Sequence, residues 1–143
     1  MRTSNPSLPA VTEFKTLKSR QNRSLLELQP LTGFKHQIRA HVGLGLGTPV
    51  LGDHKYSSIS FEGQPQAVFG DILQRLEVRE SRSRDLPALL HAKRVVIPHP
   101  EDPGRRDIVI EANLPFYFNR IMKRLQLAPP KGGTTNSWKE DLS

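Results

Sequence analysis

The chain contains no cysteine. Disulfides and thiolate-bound zinc are therefore excluded, and the redox state of its compartment leaves no mark on the sequence. No apolar run approaches the roughly 20 residues needed to cross a bilayer. The opening "MRTSNPSLPA" lacks the apolar core of a secretory signal and the long Arg-rich amphipathic pattern of a mitochondrial presequence. There is no G-x-S-x-G element, so with cysteine absent the common nucleophilic hydrolase motifs are missing. Acidic residues are also scarce: 14 Asp plus Glu stand against 21 Lys plus Arg, a formal charge of +7. That balance favours a polyanionic partner, of which nucleic acid is the common case. A ribosomal or other assembly protein carries the same charge signature. With 36% hydrophobic residues in 143, the chain can bury one modest core in one domain.

What is present falls into two patterned regions joined by a loop. Residues 1–9 carry two prolines and form an extended lead-in. Residues 10–19 alternate Val11, Glu13 and Lys15 against Thr12, Phe14 and Thr16, which predicts a strand. "RQNR" supplies a polar turn, and residues 24–31 form the next strand, with Leu26 and Leu28 on one face. After Pro30 and Gly33, Ile38 and Val42 stand four apart, as on a short helix that Thr32 could cap and the glycines at 43, 45 and 47 should end. Gly52 and Asp53 look like turn residues. Residues 57–66 form a loop, and Val68, Ile72 and Leu76 predict an amphipathic helix over 67–78. An Arg-rich connector over 79–85 leads to two further strands, over 88–98 and 108–114, separated by turn residues. Phe118, Ile121, Met122 and Leu125 predict a last helix, with Pro115 suited to its first turn. From Ala128 the tail has little core material and is expected to be disordered. The order implies an α+β fold, a mainly antiparallel sheet with short helices.

His36, Gln37 and Arg39 lie within one helical turn. Arg39 offers a fixed fork suited to a carboxylate or phosphate. Gln37 can hold a base edge or a backbone group, and His36 can donate to phosphate or bond the main chain. A helix start with a solvated polar face has the same spacing. Metal chemistry does not fit the histidines: His36 and His41 are five apart, on different faces, without a third ligand. The Gly43-x-Gly45-x-Gly47 run follows the helix, whereas a phosphate-binding loop precedes one.

"SLLELQPLTGFKHQIRAHVGLGLGTPVLGDHKY" resembles the signature of the RluA-type RNA pseudouridine synthases. The matching residues are Thr32, Gly33, His36, Gln37, Ile38, Arg39, His41, Gly47, Pro49, Val50, Gly52, Asp53 and Tyr56. "LLHAKRVVIPHP" and "EANLP" are similar to the family's later strands. Phe34 and Lys35 stand where Arg and Thr are common, which is similar to the mitochondrial branch in animals. The resemblance implies that residues 1–127 form the C-terminal part of a synthase catalytic domain, active on structured RNA such as rRNA, tRNA or mitochondrial RNA. It implies no metal, no organic cofactor and no membrane partner. It points to the mitochondrial matrix, with cytoplasm or nucleus as alternatives.

In that family a uridine is flipped from the RNA. An Asp carboxylate starts glycosidic cleavage, and the uracil turns and rejoins the ribose through carbon. The resemblance gives Arg39 the supporting catalytic role of pairing with that Asp. It places Ile38 on the wall of the uracil pocket, sets His36 and Gln37 to orient the loop or touch RNA, and sets Lys35 on a phosphate. The family's Arg-Leu-Asp motif precedes this block, yet no Asp occurs before Asp53. "RLE" at 75–77 lies downstream, in the predicted helix, and cannot substitute. The expectation is therefore a chain that lacks the nucleophile and is inactive alone, with exposed apolar surface where the other half belongs. The rival expectation is a non-catalytic RNA-binding or assembly protein built on the same fold.

Overall fold

The computed structural model describes residues 8–57, 66–99 and 104–128. Alternation in the first region does produce a hairpin: β1 (Thr12–Arg20) pairs antiparallel with β2 (Arg23–Pro30). The register runs from Thr12 opposite Pro30 to Arg20 opposite Arg23, with a bulge between Thr16 and Lys18. Arg23 docks this hairpin onto the helices. Its Nε donates to the carbonyl of Leu125 at 3.0 Å and its Nη1 to Asp71 Oδ2 at 2.8 Å, while Asn22 Nδ2 reaches Asp71 Oδ1 at 2.8 Å. The polar turn seen in the sequence is thus a clamp.

After the hairpin come α1 (Gln37–Ala40) and one π-helical turn (His41–Gly45). Next are α2 (Gly70–Leu76) and a 3-10 turn (Glu80–Asp85). β3 (Arg94–Ile97), β4 (Ile108–Glu111) and α3 (Phe116–Arg124) complete the order. Helical spacing in α2 and α3 buries one stripe of each. Ile72, Leu73 and Leu76 meet Leu86, Leu125 and Leu127, with Leu25, Leu51 and Ile121 packed around them. Pro115 is the residue before α3, and its carbonyl accepts the first helical bond, from Asn119 N at 3.1 Å. A proline is suited to this place because the amide it lacks has no helical partner there.

The α+β reading holds, but the sheet differs from expectation. Among the described residues there are two separate two-stranded ribbons, β1–β2 and β3–β4, and neither pairs with the other. The strand expected over 88–98 is ladder-paired only over Arg94–Ile97, opposite Ile108–Glu111. The disordered tail expected from 128 lies, but for Ala128, outside the described residues.

Candidate active site

The site begins where β2 ends. Thr32 Oγ1 accepts from Val11 N at 2.9 Å and donates to Gln37 Oε1 at 2.7 Å. It therefore caps nothing in α1; it ties the turn after β2 to the start of β1. Gln37 completes the stitch. Its Oε1 also accepts from Phe34 N at 3.1 Å, and its Nε2 donates to Val11 O at 2.8 Å and Thr12 Oγ1 at 2.9 Å. The side chain is buried, and all four of its hydrogen-bond positions are used. Gln37 thus spends both ends of its amide inside the loop, with no hydrogen-bond position left over for the RNA contact that the sequence reading allowed. His41 Nδ1 joins the same seam through Thr12 Oγ1 at 2.9 Å.

His36 precedes α1 with φ 59° and ψ 18°, the left-handed region. A non-glycine residue held there costs on the order of 1 kcal/mol, so other contacts must fix it. The fixing contact is Tyr56: His36 Nδ1 and the phenol oxygen are 2.8 Å apart, and the rings meet edge to face with centroids 5.6 Å apart. Partial burial of the imidazole lowers its pKa from 6.5, and the positive charges of Arg39, Lys55 and Lys35 lower it further, against an opposing pull from Asp53. Lys35 is exposed and Ile38 half-buried.

Of the three glycines expected to stop the helix, Gly47 does follow its C-cap Leu46 with φ +65°, but the other two act otherwise. Gly43 and Gly45 lie inside the π-helical turn, which ends with Leu46 N donating to His41 O at 3.0 Å. A Cβ on Gly43 would collide with the backbone carbonyl of Tyr56, so this glycine admits the 53–56 turn. Gly52 has φ +82°, and a Cβ there would strike the Pro87 carbonyl. That tight turn carries Asp53 inward until its side chain is fully buried.

Asp53 meets Arg39 in a bidentate pair. Arg39 Nε donates to Oδ2 and Nη2 to Oδ1, both at 2.7 Å, and the backbone amides of Lys55 and Tyr56 donate to Oδ1 at 3.1 and 3.2 Å. The guanidinium holds the Asp53 carboxyl below its usual range, the two amides add to this, and burial opposes them. The same hydrogen bonding raises the Arg39 pKa. The Tyr56 ring completes the group, its centroid 5.0 Å from Arg39 Cζ and 5.7 Å from Lys55 Nζ. Arg39 was expected to pair with an Asp outside this chain; within the chain its Nε–Nη2 edge is held by Asp53, and Nη1 makes no hydrogen bond among the described residues. Asp53, Lys55 and Tyr56 are the functional neighbours that sequence reasoning missed. The Gly-Asp-x-x-Tyr spacing is the available signal: the sequence reading matches Gly52, Asp53 and Tyr56 to the family signature but gives Asp53 and Tyr56 no role at the site. Among the described residues, no three His, Asp or Glu side chains come together as a metal site would need.

The sequence profile described as RNA pseudouridylate synthase matches residues 3–43. The mitochondrial pseudouridylate synthase RPUSD4 of Danio rerio is 45% identical over 121 residues, 85% of this chain and 33% of the relative. The solved human RNA pseudouridylate synthase domain containing 4 is 37% identical, with a TM-score of 0.78 over 91% of this chain and 48% of that one. Over most of its own length the chain is similar to RNA pseudouridylate synthases in sequence and fold. A more distant relative, the human mitochondrial mRNA pseudouridine synthase RPUSD3, is 32% identical over 82% of the chain. The chain spans about a third of the length of the curated relatives it matches.

Proposed function

We propose that this chain forms the arginine-bearing wall of an RNA pseudouridine synthase site, where uridine in RNA is isomerised to pseudouridine. One observation carries the reading. Arg39 of the His-Gln-Ile-Arg block is locked on a fully buried Asp53 with its Nη1 side left over, and Lys35 and Lys55 stand in its neighbourhood. A fixed guanidinium among cations suits a phosphate or a reacting carboxylate. In this reading Arg39 directs Nη1 to the reacting Asp of the whole synthase or to the flipped nucleotide. Ile38 lines the uracil pocket, Lys35 and His36 meet the RNA backbone, and Gln37 holds the loop in shape. Neither a metal nor an organic cofactor takes part. The relatives are named mitochondrial, and we place this chain's work on RNA of the mitochondrial matrix.

Because no Asp precedes Asp53 and Asp53 is committed to Arg39, residues 1–143 alone are expected to bind RNA without converting uridine. The deciding experiment joins this chain to the preceding segment of the Danio rerio relative and measures pseudouridine by mass spectrometry. Conversion should appear in the fusion, and Arg39→Lys should cut turnover at least about a hundredfold while RNA affinity changes less than about threefold, because Lys lacks the fork. Equal losses of turnover and affinity would remove Arg39 from the chemistry. RNA binding with no conversion by the fusion would leave the chain a binding protein.

A further inference from the structure

Tyr56 is fixed from several directions. Its backbone amide donates to Asp53 Oδ1 at 3.2 Å, its phenol oxygen meets His36 Nδ1 at 2.8 Å, and its carbonyl rests against Gly43. Its ring stands 5.0 Å from Arg39 Cζ. Two parallel hydrogen bonds to Asp53 hold the guanidinium at one edge, but they allow it to rock about the line joining the two groups. A ring against the guanidinium supplies the missing constraint, since a cation is drawn to the aromatic face. His36 in turn stops the ring from swinging away, and its left-handed backbone aims the imidazole at the phenol.

We propose that Tyr56 is a positioning residue: latched by His36, its ring fixes the tilt of the Arg39 guanidinium and so the direction in which Nη1 points. The function of that direction rests on the synthase reading above; the positioning itself does not. Lys55 is gathered at the same ring, 5.7 Å from its centroid, so the turn that buries Asp53 also brings a second cation beside Arg39.

The test follows Arg39 directly in the 143-residue chain labelled with 15N. Hydrogen exchange of the Arg39 Nε–H is measured by NMR, and affinity for a uridine-containing RNA hairpin is measured beside it. Tyr56→Leu should speed the exchange about tenfold and weaken RNA binding about fivefold, because ring and latch are both lost. Tyr56→Phe keeps the ring and should speed exchange only about threefold, and His36→Ala should match it, because each removes the latch alone. A Tyr56→Leu chain whose Arg39 exchange stays within about twofold of the parent overturns the proposal, as does a Phe variant as damaged as the Leu one. Should the Leu variant not fold, Phe and His36→Ala decide: matching acceleration supports the latch, and unchanged exchange overturns it. An unmodified chain with no RNA affinity refutes the synthase reading, while the exchange rates still judge the positioning.

Discussion

Asp53 receives four hydrogen bonds, two from Arg39 and one each from the amides of Lys55 and Tyr56, with its side chain wholly out of solvent. An ion pair so enclosed contributes little beyond what apolar packing would, but removing one partner strands the other. Asp53→Asn should therefore destabilise the chain by about 3 kcal/mol at neutral pH, since an amide would turn donors toward the guanidinium. The pH dependence has a fixed sign. The folded carboxyl titrates below its unfolded value of 3.8, so its contribution is complete above that value and is lost as pH falls through the lower folded one. Between pH 5 and about pH 2 the melting temperature of the parent should fall more steeply than that of Asp53→Asn. Equal slopes would show that Arg39 does not hold the carboxyl down. At this scale the sequence was only partly legible. It marked Arg39 as a fork seeking an anion, but the anion lies 14 positions on, across two turns, beyond any local period. Gln37 misled for a related reason: a polar residue early in a helix looks solvated, and only the return of β1 beside it reveals four partners.

Elements with a simple period were legible, and those shaped by a neighbour were not. Alternation located β1 and β2, and helical spacing located α2 and α3, because one repeating side-chain pattern decides each of them. The π-helical turn His41–Gly45 obeys no local pattern; its shape goes with the Tyr56 carbonyl pressed against Gly43. Turns of this kind recur at functional sites, and here the turn connects α1 to the segment carrying Asp53. Two neighbouring glycines then give opposite expectations. Gly43→Ala should cost about 1–3 kcal/mol through overpacking and reduce RNA affinity together with stability. Gly45→Ala meets nothing within 4 Å and should be neutral or stabilising by up to about 1 kcal/mol, through helix propensity. Urea unfolding of the two variants checks this, and similar losses in both would mean that the close approach at Gly43 is not what matters.

Over the whole molecule the unusual feature is the β3–β4 ribbon. Its register sets Val95 opposite Ile110 and Ile97 opposite Ile108 on one face, and Val96 opposite Val109 with Arg94 and Glu111 on the other. The first face is entirely aliphatic, yet its four side chains are 42% to 54% exposed. Two-stranded ribbons are marginal by themselves, and they persist when something covers a face. The main core lies elsewhere, among α2, α3 and the segment after the 3-10 turn, so it does not cover this one. The solved human synthase is about twice the matched length, which leaves ample chain in the family to pack there. For residues 1–143 alone, the expected outcome is self-association through this face at concentrations on the order of tens of micromolar. Sedimentation velocity should show dimers or larger species, and Ile97→Thr with Ile110→Thr should return the chain toward monomer. Threonine keeps the strand preference while removing apolar surface, so the ribbon should survive the change. The thermal transition of the α2–α3 core should move by less than about 3 °C, because none of its residues lies in the ribbon. A parent chain that stays monomeric at those concentrations would remove the ribbon face as an interface and leave its exposed aliphatic residues individually solvated.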